Sequence, residues 1–134
     1  MSITYRISDD GKTVFTNVEG RISMDDFIAY QIALATEVRF DPEGCELIDA
    51  TNAEPDMTIN YSNVACIEDS SPWHAASRRA VVASGMLAYG IANIFVTVMR
   101  RSHGSFQMFR SLEPALGWLG IEADRPGSGT AADR

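Results

Sequence analysis

A short apolar run in the first half of the chain sets the strongest limit on the fold. Leu47, Ile48 and Ala50 lie between turn-forming residues at 42–44 and polar residues at 51–52. A few apolar residues bounded in this way favour a buried strand over a helix, which needs a longer periodic run. Helix-like segments precede and follow the strand. The run therefore predicts an inner strand of a sheet with helices packed on it.

Three polar residues follow this strand and form the first candidate site. Ligands of open α/β sheets tend to bind beyond the carboxyl ends of such strands, where Asp49, Thr51 and Asn52 are expected. The alternative is purely structural, with Asp49 capping a turn and the other two binding the loop backbone. Both interpretations place these residues in a loop after the strand.

The first forty residues predict a hairpin and a helix. Residues 3–7 alternate as a half-buried strand, Asp9-Asp-Gly-Lys12 supplies a tight turn, and residues 13–18 return as the second strand. Ser23 and Asp26 resemble a capping box. A helix is expected from about Met24 to Val38, before the Asp41-Pro42 break.

The remaining pattern completes an α/β fold, a mixed five-stranded sheet with an N-terminal β-hairpin and about four helices in the order β-β-α-β-α-β-α-β-α. The expected elements are a short helix at 62–68, a strand at 79–83, a helix at 86–100, a strand at 105–110 and a helix at 112–119 capped by Ser111. Residues 1–121 are expected to form a single domain, and residues 122–134 a disordered tail.

The helix at 86–100 carries more apolar side chains than one buried face requires. The face opposite its expected core face includes Met86, Tyr89, Val96 and Met99, and a helix that is apolar all round is buried on two sides. The sequence therefore predicts an apolar interface or ligand surface there. Trp73 is added as a possible ligand contact, although it also fits simple packing at the edge of the core.

Composition limits the possible partners. The net charge of −7 argues against nucleic acid. Residues 41–69 hold eight acidic and no basic residues, whereas residues 70–121 hold five Arg and one Glu, so the chain could pair with itself or with an oppositely charged partner. The two cysteines form no disulfide framework, and no secretion signal or transmembrane segment is visible. A cytoplasmic protein is the simplest expectation.

Motifs for catalysis are missing from the sequence. It has no phosphate-binding glycine loop, no His-x-x-x-His pattern and no paired cysteines, so neither a metal nor a cofactor is expected. Cys66 and His74 could be imagined as a nucleophile pair, but nothing orients the imidazole. The sequence therefore predicts a protein that is not an enzyme. An enzyme would require a cleft that joins Asp49, Thr51 and His74.

The last third of the chain adds a resemblance to a known family. The residues at 79–83, Tyr89-Gly90, Phe109-Arg110 and Trp118-Leu119 resemble those of small bacterial STAS-like proteins often labelled SpoIIAA-like. These are related in fold to the anti-sigma-factor antagonists, which carry a phosphorylatable serine after an aspartate. The nearest match here is Asp49-Ala-Thr51, which has one inserted residue and Thr in place of Ser.

The resemblance and the apolar helix give two expectations for function. The first is a non-enzymatic regulatory module that binds a protein partner or itself, in which case a homo-oligomer is expected. The alternative is a carrier or sensor of an apolar, lipid-like small molecule, with Phe27, Trp73, Phe106 and Met108 lining the pocket.

Overall fold

A computed structural model describes residues 2–54, 71–99 and 105–121. The helix expected at 62–68, Cys66 and the tail at 122–134 lie outside these residues. The elements in chain order are β1 (Ser2–Ile7), β2 (Thr13–Arg21), α1 (Met24–Ala35), β3 (Cys45–Glu54), β4 (Arg78–Val82), α2 (Met86–Met99), β5 (Ser105–Phe109) and α3 (Leu112–Leu119).

The strands form one mixed five-stranded sheet in the order β1-β2-β3-β4-β5. The β1–β2 pair is antiparallel, and every later neighbour is parallel. The predicted α/β fold with an N-terminal hairpin is confirmed, and three helices pack on the sheet in the described residues. The strand predicted from Leu47 and Ile48 is the central one.

The two faces of the sheet hold separate apolar clusters. Ile48 and Val81 pack under α1 and α2, while Leu47 and Ala80 pack under α3. Side chains alternate between faces along a strand, so adjacent residues of β3 enter opposite clusters. Right-handed crossovers that run in one direction along a sheet place their helices on one face, which puts α1 and α2 together. The helix α3 follows the last strand and covers the other face.

The hairpin turn forms as the Asp-Gly signal predicts. Gly11 has a φ of 77°, and its N–H donates to the Ser8 carbonyl at 2.9 Å. A Cβ built on Gly11 would lie 2.1 Å from the carbonyl oxygen of Arg39. This position therefore requires glycine both for its backbone conformation and for the close approach of the chain after α1.

The start of α1 is a capping box. The Ser23 hydroxyl accepts from the Asp26 N–H at 3.0 Å, and the Asp26 carboxylate accepts from the Ser23 N–H at 3.0 Å. The helix ends at Ala35, three residues earlier than predicted, and Val38 is exposed beyond it. Ser111 occupies the same position at the start of α3, but its side chain makes no capping hydrogen bond, so that part of the prediction is wrong.

The strand β3 is longer than its apolar run. It continues through Glu54 because β2 extends beside it, pairing Glu19 with Asn52 and Arg21 with Glu54 after an irregularity in register that follows Asn17. The prediction that residues 51 and 52 form a loop is wrong. Polar side chains on this second half of β3 face the solvent, which is why hydrophobicity gave no sign of the strand.

Candidate functional site

The predicted site at Asp49, Thr51 and Asn52 lies on β3 rather than in a loop. One carboxylate oxygen of Asp49 accepts from the Thr51 hydroxyl at 2.7 Å and from the Thr51 N–H at 3.1 Å. Thr51 and Asn52 are exposed. These hydrogen bonds are the local ones that the purely structural interpretation of Asp49 and Thr51 predicts. Thr51 lies within β3 and not after its end.

His74 does not join these residues. Its backbone N–H donates to the Pro42 carbonyl at 2.9 Å, so it lies before β3 and β4 begin, whereas Asp49 pairs with Val82, the last residue of β4. The two side chains therefore lie toward opposite ends of the parallel strands, and the cleft that an enzyme would require is not formed by these residues. Among the described residues, no group of three His, Cys, Asp or Glu side chains could hold a metal.

The residues proposed for an apolar surface are divided between surface and core. Met86 is 89% exposed, whereas Val96 and Trp73 are each only 2% exposed. Tyr89 is half buried, and the Arg110 guanidinium carbon lies 3.9 Å from its ring centre. The Met99 side chain lies outside the described atoms. The set therefore does not form one exposed patch.

The expected orientation of α2 was wrong. Val96, which was assigned to the outer face, packs on the sheet with Ala92, Ile48 and Val81. Val98 is also buried, although it lies about 200° from Val96 around the helix axis. The helix is thus buried on two sides, as its composition predicts. Trp73 packs with Tyr30 and Leu34 and makes an edge contact with Phe40, so it belongs to the core.

An apolar cavity of about 120 Å³ lies between α1, α2 and the sheet. Seventeen of the described residues border it, and all but Thr16, Ser23, Tyr30 and Glu54 have apolar side chains: Ile3, Val18, Ile22, Met24, Phe27, Ile48, Ala50, Ala53, Val81, Ala83, Ile91, Ala92 and Phe106. Phe27 and Phe106 had been predicted to line a pocket. Trp73 and Met108, predicted with them, do not border the cavity.

A groove of about 340 Å³ occupies the other face of the sheet. It is bordered by Arg6, Phe15, Asn17, Asp49 and Leu112 among others, where α3 packs chiefly on β3, β4 and β5. Its walls mix charged and apolar groups, and the Arg6 guanidinium already stacks on the Phe15 ring at 4.4 Å. The border of the groove is more polar than that of the cavity between α1, α2 and the sheet.

A buried polar cluster lies at one end of the cavity. The Arg79 Nε donates to one Glu46 carboxylate oxygen at 3.0 Å, and both side chains are completely buried. The other oxygen of Glu46 accepts from the Thr16 hydroxyl at 2.7 Å and from the Tyr30 hydroxyl. Thr16 and Tyr30 also border the cavity, whereas Glu46 and Arg79 do not.

The charges of the cluster change the titration of Tyr30. Burial raises the pKa of Tyr30 well above its ordinary value, and the negative charge of Glu46 and the hydrogen bond to it raise it further. The tyrosine therefore remains a neutral donor to Glu46. Burial also raises the pKa of the half-buried Cys45 thiol, and this disfavours the reactive thiolate form.

The guanidinium of Arg79 has aromatic neighbours on its planar surface. Its central carbon lies 4.5 Å from the ring centre of Phe106 and 5.3 Å from that of Trp73. Its Nη1 and Nη2 atoms are buried and have no hydrogen-bond partner in the described part of the chain. Buried polar groups are satisfied in the great majority of cases, so four N–H donors without an acceptor are unusual.

Glu46 and Arg79 were not identified as site residues from the sequence. A signal for them exists in the strand pattern, because each lies two positions before a core residue of the same face, Ile48 and Val81. Opposite charges at matching positions of two adjacent buried strands indicate a cross-strand ion pair. The register that pairs Glu46 with Arg79 can be read only from the structure.

Structural comparison shows what the chain is similar to. An uncharacterised protein of the DUF3478 family with a SpoIIAA-like fold, from Shewanella loihica PV-4, superposes with a TM-score of 0.52. The match covers 88% of this chain and 94% of the other, at 22% sequence identity. The predicted SpoIIAA-like fold is confirmed, and at this identity the similarity shows the fold alone. No family model matches the sequence, and comparison with curated proteins found no match.

Proposed function

We propose that this protein, which has a SpoIIAA-like fold, binds a small apolar molecule in the cavity between α1, α2 and the sheet. The observation that carries the proposal is the nearly complete apolar lining of a space of about 120 Å³. An engineered apolar cavity of about 150 Å³ in another protein stays dry and binds benzene. A single ring or a short branched chain therefore matches the available volume.

The energetics of an apolar cavity favour an occupant. Side chains that border empty space lose dispersion contacts, at roughly 24 cal/mol per Å³ in measured core substitutions. A ligand that fills the space gains dispersion contacts with these side chains and stabilises the folded protein by binding only to it.

Toluene is a suitable probe for this site. Titration of the purified protein should shift the methyl NMR signals of Ile48, Val81 and Ala92 and raise the melting temperature, because all three residues border the cavity. Native mass spectrometry of freshly purified protein would detect a retained natural ligand. If saturating toluene leaves the methyl signals and the melting temperature unchanged, the proposed function is wrong.

A matched pair of variants connects binding to the cavity. Ala92→Leu adds three carbon atoms at the cavity wall and should abolish toluene binding while preserving the fold. Ala29→Leu makes the same change at an exposed position of α1 and should leave toluene binding intact. Equal binding by both variants would place the ligand elsewhere.

Regulation through protein contact is a second candidate function, supported by one observation. Met86 begins α2 and is 89% exposed, and methionine is common at adaptable binding surfaces. Light scattering coupled to size exclusion should then give a mass above that of a 14.7 kDa monomer, and Met86→Gln should reduce it. A monomer at all concentrations, together with no partner in pull-down experiments, would exclude this function.

A further inference from the structure

The residues at the polar end of the cavity determine which kind of ligand can bind there. Most of the cavity surface is apolar and sets no preference among polar groups. At the Thr16–Tyr30 end, the neighbouring charges are Glu46 and Arg79, which are completely buried. A polar group of a ligand at this end must therefore match the hydrogen-bond donors and acceptors of these residues that are not already used.

The acceptors and donors of the cluster are used unequally. The Glu46 carboxylate already accepts from Thr16, Tyr30 and Arg79. Arg79 donates through Nε alone, and its Nη1 and Nη2 atoms have no partner among the described residues. A guanidinium carries five N–H donors and no acceptor. The Glu46 carboxylate is therefore already used as an acceptor, whereas four N–H donors of Arg79 have no partner among the described residues.

The position of Arg79 brings these donors next to the cavity. Arg79 itself does not border the empty space, but its guanidinium carbon lies 4.5 Å from the ring centre of Phe106, which does. Val81, two residues further along the same face of β4, borders the cavity as well. Phe106 therefore borders the cavity and also contacts the guanidinium of Arg79.

We infer that the cavity takes an apolar molecule that carries a carboxylate, with the carboxylate bound by Nη1 and Nη2 of Arg79. The two oxygens of a carboxylate match the paired donors of a guanidinium, and this geometry distinguishes arginine from lysine. Glu46 accepts from Nε of Arg79, so Nη1 and Nη2 are the donors of this side chain that remain for the ligand. This inference rests on the proposed function, because it requires the apolar part of the ligand to occupy the cavity.

Three probes of similar shape separate the inference from the proposed function. Toluene, benzyl alcohol and benzoate share one ring and differ in the substituent. At pH 7, benzoate should bind roughly ten- to a hundredfold more tightly than benzyl alcohol, the range expected for hydrogen bonds between charged groups. If toluene binds and benzoate binds no more tightly than benzyl alcohol, the inference fails and the proposed function stands. If none of the three binds, both fail.

The role of Arg79 is tested by Arg79→Lys, which keeps a positive charge beside Glu46 but removes the paired donors. This variant should lose the preference for benzoate at least tenfold while still binding toluene, which also shows that it is folded. A preference for benzoate that survives the substitution would overturn the assignment.

A measurement on the unaltered protein covers the case in which the variant does not fold. In protein labelled with ¹⁵N at arginine side chains, benzoate should shift the Arg79 signals, because Nη1 and Nη2 gain an acceptor. Arg39, an exposed arginine whose Nη1 donates to the Ser8 carbonyl, serves as the internal control. If benzoate binds and the Arg79 signals do not move, the carboxylate is bound elsewhere and the inference is wrong.

Discussion

Glu46 and Arg79 face each other across the parallel strands β3 and β4, with the Arg79 Nε 3.0 Å from a Glu46 oxygen. Both side chains are fully buried, and Tyr30 and Thr16, which border the apolar cavity, also donate to the carboxylate. The four residues come from three strands and one helix that are distant in sequence. This cluster is the main chemical feature of the described structure.

The first prediction concerns the ion pair. Glu46→Leu leaves the Arg79 charge buried without its partner and should lower the free energy of unfolding by about 3–5 kcal/mol. The double variant Glu46→Leu/Arg79→Met replaces the pair with apolar groups of similar volume and should recover most of that loss. Urea denaturation measures both values. A double variant less stable than Glu46→Leu would contradict this account of the pair.

The exposed pair of Lys12 and Asp41 is the control for that experiment. Its charged atoms are 4.0 Å apart, and the Lys12 side chain is 68% exposed. Lys12→Ala should change the free energy of unfolding by less than about 1 kcal/mol, because solvent and side-chain entropy reduce the value of surface pairs.

The second prediction concerns stability at alkaline pH. Burial and Glu46 raise the pKa of Tyr30 well above its ordinary value, so above about pH 10 the unfolded chain loses this proton and the folded protein keeps it. The effect is absent below pH 10. Above it, Tyr30 should remove about 1.4 kcal/mol of stability per pH unit, until the folded tyrosine ionises.

Tyr30→Phe provides the test, because it should flatten the alkaline decline in the free energy of unfolding. Its cost near pH 7 should be about 1–3 kcal/mol, since Glu46 loses a buried donor. Tyr5 also has a pKa raised to about 12, by partial burial and its hydrogen bond to Glu37, so Tyr5→Phe should be measured in parallel. An unchanged alkaline slope in Tyr30→Phe would disprove the assignment.

The third prediction compares two helix starts. Ser23 closes a capping box on α1, and Ser23→Ala should cost about 1 kcal/mol in the free energy of unfolding. Ser111 occupies the equivalent position of α3 without a capping hydrogen bond, so Ser111→Ala should cost much less. Thermal unfolding of both variants would settle the comparison, and equal losses would show that the Ser23 cap has no special role.

The fourth prediction compares two glycines. Gly11→Ala should destabilise the protein by more than about 1 kcal/mol, since the new Cβ meets the Arg39 carbonyl oxygen and the residue has a positive φ. Gly90→Ala should instead stabilise it by about 0.5–1 kcal/mol, because Gly90 lies inside α2 with open space around it. Chemical denaturation distinguishes the two signs.

Local signals in the sequence predicted the fold well. The Asp-Gly turn, the capping box at Ser23 and the apolar run at Leu47 and Ile48 all depend on neighbouring residues, and all are present in the structure. The second half of β3 was missed because its side chains are polar on an exposed surface. Only its partner β2 makes it a strand, and pairing between distant segments cannot be read from composition.

The site was predicted less well than the fold, for a related reason. Polar residues after a strand drew attention to Asp49 and Thr51, but burial decides which polar groups matter, and burial depends on how the helices pack. The sequence also could not show whether Val96 faces the sheet or the outer side, because α2 is apolar on both sides. Glu46 and Arg79 are charged residues in strands, and their burial follows only from the register of β3 and β4.

The strand order also has a consequence for how the chain reaches this structure. Each strand of the described residues lies beside the one that precedes it in the sequence, so none of these strands must be inserted between two that are already joined. During synthesis from the N-terminus, each described strand after the first is made later than one of the strands that it pairs with. Each of these strands therefore has a pairing partner available as soon as it is synthesised, and Glu46 precedes the arginine that it binds.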